Sequence, residues 1–197
     1  MWSEPENYAS ISWVFLRLLG VIFFLAQGAF LLQAKGLIGK GGILPLDHYM
    51  QSLKRQIKKH RFWKVPTIFW VSSSNRFIEG TLCVGVMASL LLIMGIFSPA
   101  MILILTVIQI SLIYAGQDFM SFGWELFLVE IGINSFFISL SDVPNPLVFL
   151  SINFLLFRFH IQAGAVKIQS HDPNWKNLTA LYYHYQSQPL PNLIAWV

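Results

Sequence analysis

Near the end of the last long apolar run, His160, Gly164 and Lys167 have types and a spacing that could carry chemistry. On a helix they occupy positions i, i+4 and i+7, which lie on one face. A lysine in a partly dry site has its charged form disfavoured, so Lys167 could act as a base or nucleophile near neutral pH, with His160 beside it. The same spacing suits a lysine that extends from a helix end to the membrane interface and a histidine that only packs there. The residues alone leave both interpretations open.

Four other charged side chains interrupt apolar runs, namely Arg17, Glu125, Glu130 and Arg158. A charge at membrane depth costs about 2.5–3.5 kcal/mol on insertion scales, so such residues usually pair with one another. Glu125 and Glu130 are separated by about 140° on a helical wheel, so they cannot both face one site. We therefore expect one of these carboxylates to pair with Arg158 as a structural contact across a helical bundle. Arg17 would compete for the same partners.

The remaining polar groups predict neither a catalytic triad nor a cofactor site. His171, Asp172 and His184 match no known spacing of metal ligands, so we expect no metal. Cys83 is the single cysteine, which excludes a disulfide within the chain. The segment 177–179 has the form of a glycosylation sequon, which matters only if it lies in a lumenal compartment.

The elements that must position these residues are membrane helices. The 197 residues are 55% hydrophobic and only 11% charged, with a mean hydropathy of +0.60. A soluble domain carries about 25% charged residues, so this composition predicts an integral membrane protein. The fold class we expect is all-α, a polytopic helical bundle of about five transmembrane helices with one interfacial amphipathic helix. The predicted spans lie near 11–32, 77–97, 100–114, 122–140 and 147–168.

Proline-containing turns divide these runs. Ser98-Pro99 separates the second span from the third, and the segment 142–146 with its two prolines separates the fourth from the fifth. The first run is too long for a signal-peptide core and lacks a basic flank, so we interpret it as a retained anchor. We therefore divide the chain into a transmembrane domain, 1–168, and a membrane-proximal segment, 169–197. The second part would be the truncated start of a larger region.

Positive charge is concentrated between the first two spans, where nine of the thirteen Lys and Arg residues fall between Lys35 and Arg76. Such a segment is typical of a topology signal or a lipid-headgroup contact, and no nucleic-acid motif accompanies it. Within it, 46–63 has apolar residues on one rough helical face, which predicts an interfacial amphipathic helix lying on the bilayer. A solvated basic loop is the alternative, and 66–70 could also enter the interface. The charge bias places the segment in the cytoplasm and the N-terminus outside.

Ordered motifs along the chain resemble those of the lipase maturation factor family. They occupy the segments 36–45, 66–70, 116–132, 157–168 and 172–191. The motif residues carried over from this resemblance are Trp124, Gly164, Asp172, Trp175, His184, Pro189 and Pro191. The chain departs from the family at Gly123 and Glu125, where glutamine and aspartate are usual, and at His160, where a small or apolar residue is usual.

The resemblance implies a multi-pass membrane protein that helps secreted client proteins, such as dimeric lipases, to fold or assemble. Its partners would be membrane lipids and the client, with no nucleic acid and no cofactor. It would lie in the endoplasmic reticulum membrane of a eukaryote or the inner membrane of a bacterium. The family is described with a cytosolic N-terminus, which puts the basic segment on the lumenal side, opposite to the charge bias.

A second resemblance, over 163–168 with Asp172 and Trp175, is to vitamin K-dependent γ-carboxylases. It implies a membrane enzyme in which Lys167 is the base and a quinone-like lipid is the substrate. The chain also stops at Val197, inside a motif that maturation factors continue, so a truncated inactive member is a third interpretation. Of the three, we favour a non-enzymatic maturation factor.

Overall fold

Long apolar helices account for most of the structure, because a chain this poor in charge satisfies its backbone within lipid only by internal hydrogen bonds. A computed structural model describes residues 5–141 and 145–187; these are helical and contain no strand. The helices are α1 Pro5–Leu37, α2 Leu46–Gln56, α3 Arg61–Lys64, α4 Asn75–Met94, α5 Ser98–Gly116, α6 Gly123–Ile138, α7 Pro146–Gln169, α8 Pro173–Lys176 and α9 Ala180–Ser187. Two 3₁₀ turns, Ile68–Trp70 and Gln117–Met120, complete the order. The predicted all-α class is confirmed.

Four stretches are long and apolar enough to cross a membrane: Tyr8–Leu37, Asn75–Met94, Ser98–Met120 and Pro146–Gln169. The third is longer than the sequence pattern predicts, because the 3₁₀ turn continues α5. The 16 residues of α6 occupy the position of the predicted fourth span. At 1.5 Å per residue α6 covers about 24 Å, somewhat less than a hydrocarbon core of about 30 Å. A bundle of about five helices is consistent with this set.

The chain divides into two compact units, Met1–Ile152 and Asn153–Val197. The first holds α1 to α6 and the start of α7, and the second holds the rest of α7 with α8 and α9. The predicted division at residue 168 into a transmembrane domain and a membrane-proximal segment stays a prediction.

Helices α1 and α4 approach one another closely at two glycines of the first unit. A Cβ built on Gly20 would lie 2.9 Å from Ile93 Cγ1 and 3.1 Å from the Ile93 backbone nitrogen. A Cβ on Gly85 would overlap the side-chain oxygen of Gln27. Helices in a membrane gain little hydrophobic free energy by associating, because lipid tails are as apolar as the side chains. Close van der Waals packing of this kind therefore contributes to their association. Helix α5 packs on α4, and α6 packs on α5.

Helix α2 packs its apolar face against the protein. Leu46 and Met50 are almost completely buried in a cluster with residues from α1, α4 and α5, and Leu53 and Ile57 pack against that cluster. The helix ends at Gln56, seven residues before the predicted end at Trp63, and α3 follows as a separate short helix. The apolar face expected on the bilayer surface is thus covered by the chain itself, and the basic side chains lie outward.

Candidate functional site

The outward side of the α2–α3 segment forms a surface that combines cations with exposed aromatic rings. We define the basic–aromatic surface by six residues: Lys54, Lys58, His60, Arg61, Phe62 and Trp63. With Ile57 they line a hollow of about 580 Å³. Trp63 is 88% exposed and Phe62 is 54% exposed, and both rings lie outside the four stretches that are long and apolar enough to cross a membrane. Exposed aromatic residues next to an arginine are typical of an interaction site.

Buried contacts beneath α3 hold this surface in place. The Trp70 indole Nε1 donates a hydrogen bond to the Val65 carbonyl oxygen at 2.8 Å, and both residues are buried. The Arg61 guanidinium lies 5.0 Å from the centre of the Phe62 ring and 5.4 Å from the centre of the Trp70 ring. Cation–π contacts at these distances favour one orientation of the arginine. The surface therefore has a fixed base although its outer side chains are exposed.

The next stretch is tied to α5. The Ser111 hydroxyl accepts from the Ile68 backbone N–H at 3.1 Å, and the Thr67 hydroxyl donates to the Ser111 carbonyl at 3.3 Å. Phe69 and Trp70 are buried in the same cluster as the apolar face of α2. The segment 66–70, which from its sequence could enter the membrane interface, packs onto the helical bundle.

A third tie joins the start of α2 to the stretch before α4. The Asp47 carboxylate accepts hydrogen bonds from the Ser73 hydroxyl at 2.9 Å and from the Gln51 side-chain amide at 3.1 Å. The Ser73 hydrogen bond holds the pKa of Asp47 below its usual value, and the nearby Lys40 acts in the same direction. The ionised carboxylate is therefore the form that stabilises this end of the segment.

This tie predicts a pH dependence. Because the folded pKa of Asp47 lies below the unfolded value of about 3.9, its stabilising contribution is complete above that value and is lost as pH falls through the folded pKa. We expect Asp47→Ala to lower the melting temperature near pH 6. As pH falls below the unfolded value and through the folded pKa of Asp47, we expect the difference from the unsubstituted protein to shrink. Circular dichroism of the protein in neutral detergent micelles measures both, and an equal difference at every pH would contradict the assignment.

Arg17 lies at the turn between α4 and α5. Its guanidinium donates to the Leu92 carbonyl oxygen and, at 3.3 Å, to the Ser98 hydroxyl. Gly95 ends α4 in the left-handed region with a φ of 84°, and a Cβ there would lie 2.8 Å from the arginine Nη2. A cation at a helix C-terminus also interacts favourably with the helix dipole. Arg17 thus donates to a carbonyl and a hydroxyl, where the sequence predicts a carboxylate.

Glu125 has one hydrogen-bond partner on α5 and another in the neighbouring Trp124 side chain. The Gln109 side-chain amide donates to the Glu125 carboxyl at 2.5 Å, and Gln109 is completely buried. Glu130 and Arg158 are both half-buried, and each makes interactions of its own. The pairing of Arg158 with a carboxylate of α6 stays a prediction, as does the structural role assigned to these charges.

Two buried glutamines were not among the predicted site residues. Gln27 and Gln109 have no exposed surface, and within the described parts of the chain both Gln27 amide atoms and Gln109 Oε1 make no hydrogen bond. The only sequence signal is a glutamine inside an apolar run, which does not reveal whether it faces a helix or lipid. Burial of unsatisfied amides is costly, so these positions mark polar interior surface within the bundle.

In the second compact unit, Lys167 is exposed on the last turn of α7. Its ammonium nitrogen lies 5.0 Å from the centre of the Trp175 ring, a cation–π contact that joins the helix end to α8. His160 is exposed, and its Nδ1 lies 2.7 Å from the Leu156 carbonyl of its own helix. Nothing lies within 4 Å of a Cβ built on Gly164. The catalytic roles of Lys167 and His160 stay predictions.

The motif that follows is organised by helix capping. The Asp172 carboxylate accepts from the Asn174 backbone N–H at 2.9 Å and so begins α8. The His184 ring lies 5.9 Å from that of Tyr185 on α9. In the first unit, Trp124 stacks on Phe122 with ring centres 4.6 Å apart. The motif residues Pro189 and Pro191 lie outside the described residues. Among those described, no group of three or more His, Cys, Asp or Glu side chains could hold a metal ion.

Comparison with known proteins decides the family. The model of the lipase maturation factor transmembrane domain matches residues 11–197. The chain belongs to the lipase maturation factor family. It is 32% identical to lipase maturation factor 1 of Bos taurus and 31% identical to that of Homo sapiens, in each case over 93% of this chain. Lipase maturation factor 2 of Homo sapiens is 29% identical, again over 93% of this chain. No solved structure matches.

Lipase maturation factors 1 and 2 are longer proteins, and the match covers 36% of the bovine factor 1 and 29% of the human factor 2. The chain therefore spans about a third of the length of these relatives. Membership of the lipase maturation factor family, together with several apolar helices, shows a multi-pass integral membrane protein. It also supports a role in protein maturation at a membrane.

Proposed function

We propose that this protein assists the folding or assembly of secreted client proteins, of which lipases are the first candidates. The proposal rests on the match to the lipase maturation factor transmembrane domain over residues 11–197. The relatives are named for lipase maturation, and the match covers 93% of this chain. The client-facing parts would be the basic segment after α1 and the segment after Lys167.

The basic–aromatic surface is the structural observation that supports the first of these parts. Its cations attract acidic surface on an incompletely folded client and increase the rate of encounter. Phe62 and Trp63 add apolar area of the kind that supplies binding energy at protein interfaces. The buried base under α3 limits the conformational entropy that binding would cost.

The proposal requires the basic–aromatic surface to face the compartment where the client folds. This is the orientation implied by the resemblance, with a cytosolic N-terminus, and not the one predicted by charge bias. In a eukaryote the compartment would be the lumen of the endoplasmic reticulum, and in a bacterium the periplasm.

The test reverses charge on the proposed surface. We expect the triple variant Lys54→Glu, Lys58→Glu, Arg61→Glu to reduce the activity of a co-expressed secreted lipase by at least about tenfold, the effect of about 1.4 kcal/mol of lost binding. The matched control, Lys35→Glu, Arg55→Glu, Arg76→Glu, makes the same change in net charge at exposed residues outside the surface. It should retain activity within about twofold. Equal losses in both variants, at equal protein levels, would contradict the proposed surface.

A further inference from the structure

A second hollow of the first unit lies between α1 and α6. It is lined by five side chains of α1 between Phe15 and Ala26 and by five of α6 between Trp124 and Ile131. Its volume is about 480 Å³, within the range of about 300–1,000 Å³ that is usual for small-molecule sites. We call it the α1–α6 crevice. Because α6 packs on α5 and α1 packs on α4, the crevice remains open between them.

The crevice is apolar except at one end. Glu125 is the one ionisable side chain among the described residues that line it. The Glu125 carboxyl accepts from the Gln109 amide and from the Trp124 side chain, and these two donors occupy about two of the roughly four acceptor positions of its two oxygens. This end therefore holds more hydrogen-bond acceptors than donors. A ligand that fits must supply a donor there and a hydrocarbon chain elsewhere.

The rim of the crevice is formed by exposed apolar side chains, and in a membrane-spanning helix such as α1 side chains of this kind are expected to face lipid. Leu18 is 58% exposed, Ile22 is 52% exposed and Trp124 is 62% exposed. An apolar cavity does not hold ordered water, and within a bilayer the molecules that reach such a rim are lipids. An indole at the rim is the side chain that commonly lies near lipid headgroups.

The polar end distinguishes the α1–α6 crevice from another hollow of the same unit. Another apolar hollow, of about 410 Å³, lies between α4 and α5 and is lined by residues such as Val84, Leu103 and Val107. No ionisable residue is among those that line it. A wholly apolar hollow of this kind can bind acyl chains but cannot select among lipid headgroups. The α1–α6 crevice can in addition select the head of its ligand.

We propose that the α1–α6 crevice binds a single-chain lipid with a neutral, hydroxyl-bearing head, of the monoacylglycerol type. The acyl chain lies between α1 and α6, and the head hydroxyl donates a hydrogen bond to the Glu125 carboxyl. The site is distinct from the basic–aromatic surface. A negative result for lipid binding would therefore leave the proposed maturation role untouched, and the reverse also holds.

The first experiment labels the full-length protein in its own membrane with a monoacylglycerol that carries a photoreactive diazirine in its chain. We expect mass spectrometry to place the label in 15–26 and 124–131. Ile22→Trp fills the rim at an exposed position and should reduce labelling at least about fivefold. Val84→Trp makes the same kind of change in the α4–α5 hollow and should leave it unchanged. Labelling elsewhere, labelling that Ile22→Trp does not reduce, or no labelling would overturn the proposal.

The second experiment tests the head. The hydroxyl-bearing probe should label about fivefold more than a fatty acid methyl ester of the same chain, the effect of one net hydrogen bond. Glu125→Met, which removes the acceptor at similar volume, should abolish that preference, while Glu125→Gln keeps one acceptor oxygen and should retain part of it. Equal labelling by the two probes in the unsubstituted protein would overturn the proposed selectivity. A preference that persists in Glu125→Met would do the same.

Discussion

Gly20→Leu is expected to destabilise the bundle by about 1–3 kcal/mol or more, the usual cost of forcing side-chain volume into a packed interface. The added Cβ would already lie 3.1 Å from the Ile93 backbone nitrogen, and backbone cannot move aside without displacing α4. The whole leucine side chain must therefore separate α1 from α4. Unfolding by sodium dodecyl sulfate in mixed micelles, followed by circular dichroism, measures the loss.

Gly28→Leu provides a matched control on the same helix. Nothing lies within 4 Å of a Cβ built on Gly28, so the substitution meets open space. Leucine is a better helix former than glycine by about 0.5–1 kcal/mol, so this variant should be as stable as the unsubstituted protein or slightly more stable. If both variants lose the same stability, the close contact of α1 and α4 at Gly20 is wrong.

Arg17→Met is expected to have the second largest effect, a loss of about 1.5–3 kcal/mol, the range for hydrogen bonds to charged groups. The guanidinium satisfies the Leu92 carbonyl at the end of α4 and also binds the Ser98 hydroxyl at the start of α5. Methionine fills similar volume without a donor, so the turn would lose both contacts. The same unfolding titration measures the change.

Arg17→Lys separates charge from geometry. Lysine retains the favourable interaction with the α4 dipole but cannot reproduce the planar donor fork. We expect its stability to lie between those of the unsubstituted protein and Arg17→Met. If instead Arg17→Met unfolds at the same detergent fraction as the unsubstituted protein, Arg17 does not stabilise the α4–α5 turn.

Hydropathy and proline positions predict the helices well, because the backbone in lipid has few alternatives to helix. The break between α4 and α5 follows from Ser98-Pro99, and the extension of the third span follows from the apolar residues of the 3₁₀ turn. The amphipathic pattern of 46–57 is also visible in the sequence. The sequence does not show what covers the apolar face of this segment, because a protein core and a bilayer surface both favour apolar residues there.

Partners of buried polar groups are harder to predict. Arg17 stands in the middle of an apolar run, which favours a carboxylate partner across the bundle. In the structure Arg17, on the 33-residue helix α1, lies beside the α4–α5 turn. There the Leu92 carbonyl oxygen is available as a hydrogen-bond acceptor. Likewise, Glu125 finds an amide at Gln109, a residue that no spacing rule connects with it. Such contacts depend on how helices are aligned along their axes, which periodicity does not specify.

The central claim is that the basic–aromatic surface contacts a maturing client. Its most direct test is site-specific crosslinking with a photoreactive phenylalanine analogue at position 63, in cells that co-express a secreted lipase. The account predicts a crosslinked product with the lipase from position 63 and none from position 71, which is also strongly exposed but lies outside the surface. Efficient lipase maturation with no crosslink from position 63, or equal crosslinks from both positions, would contradict it.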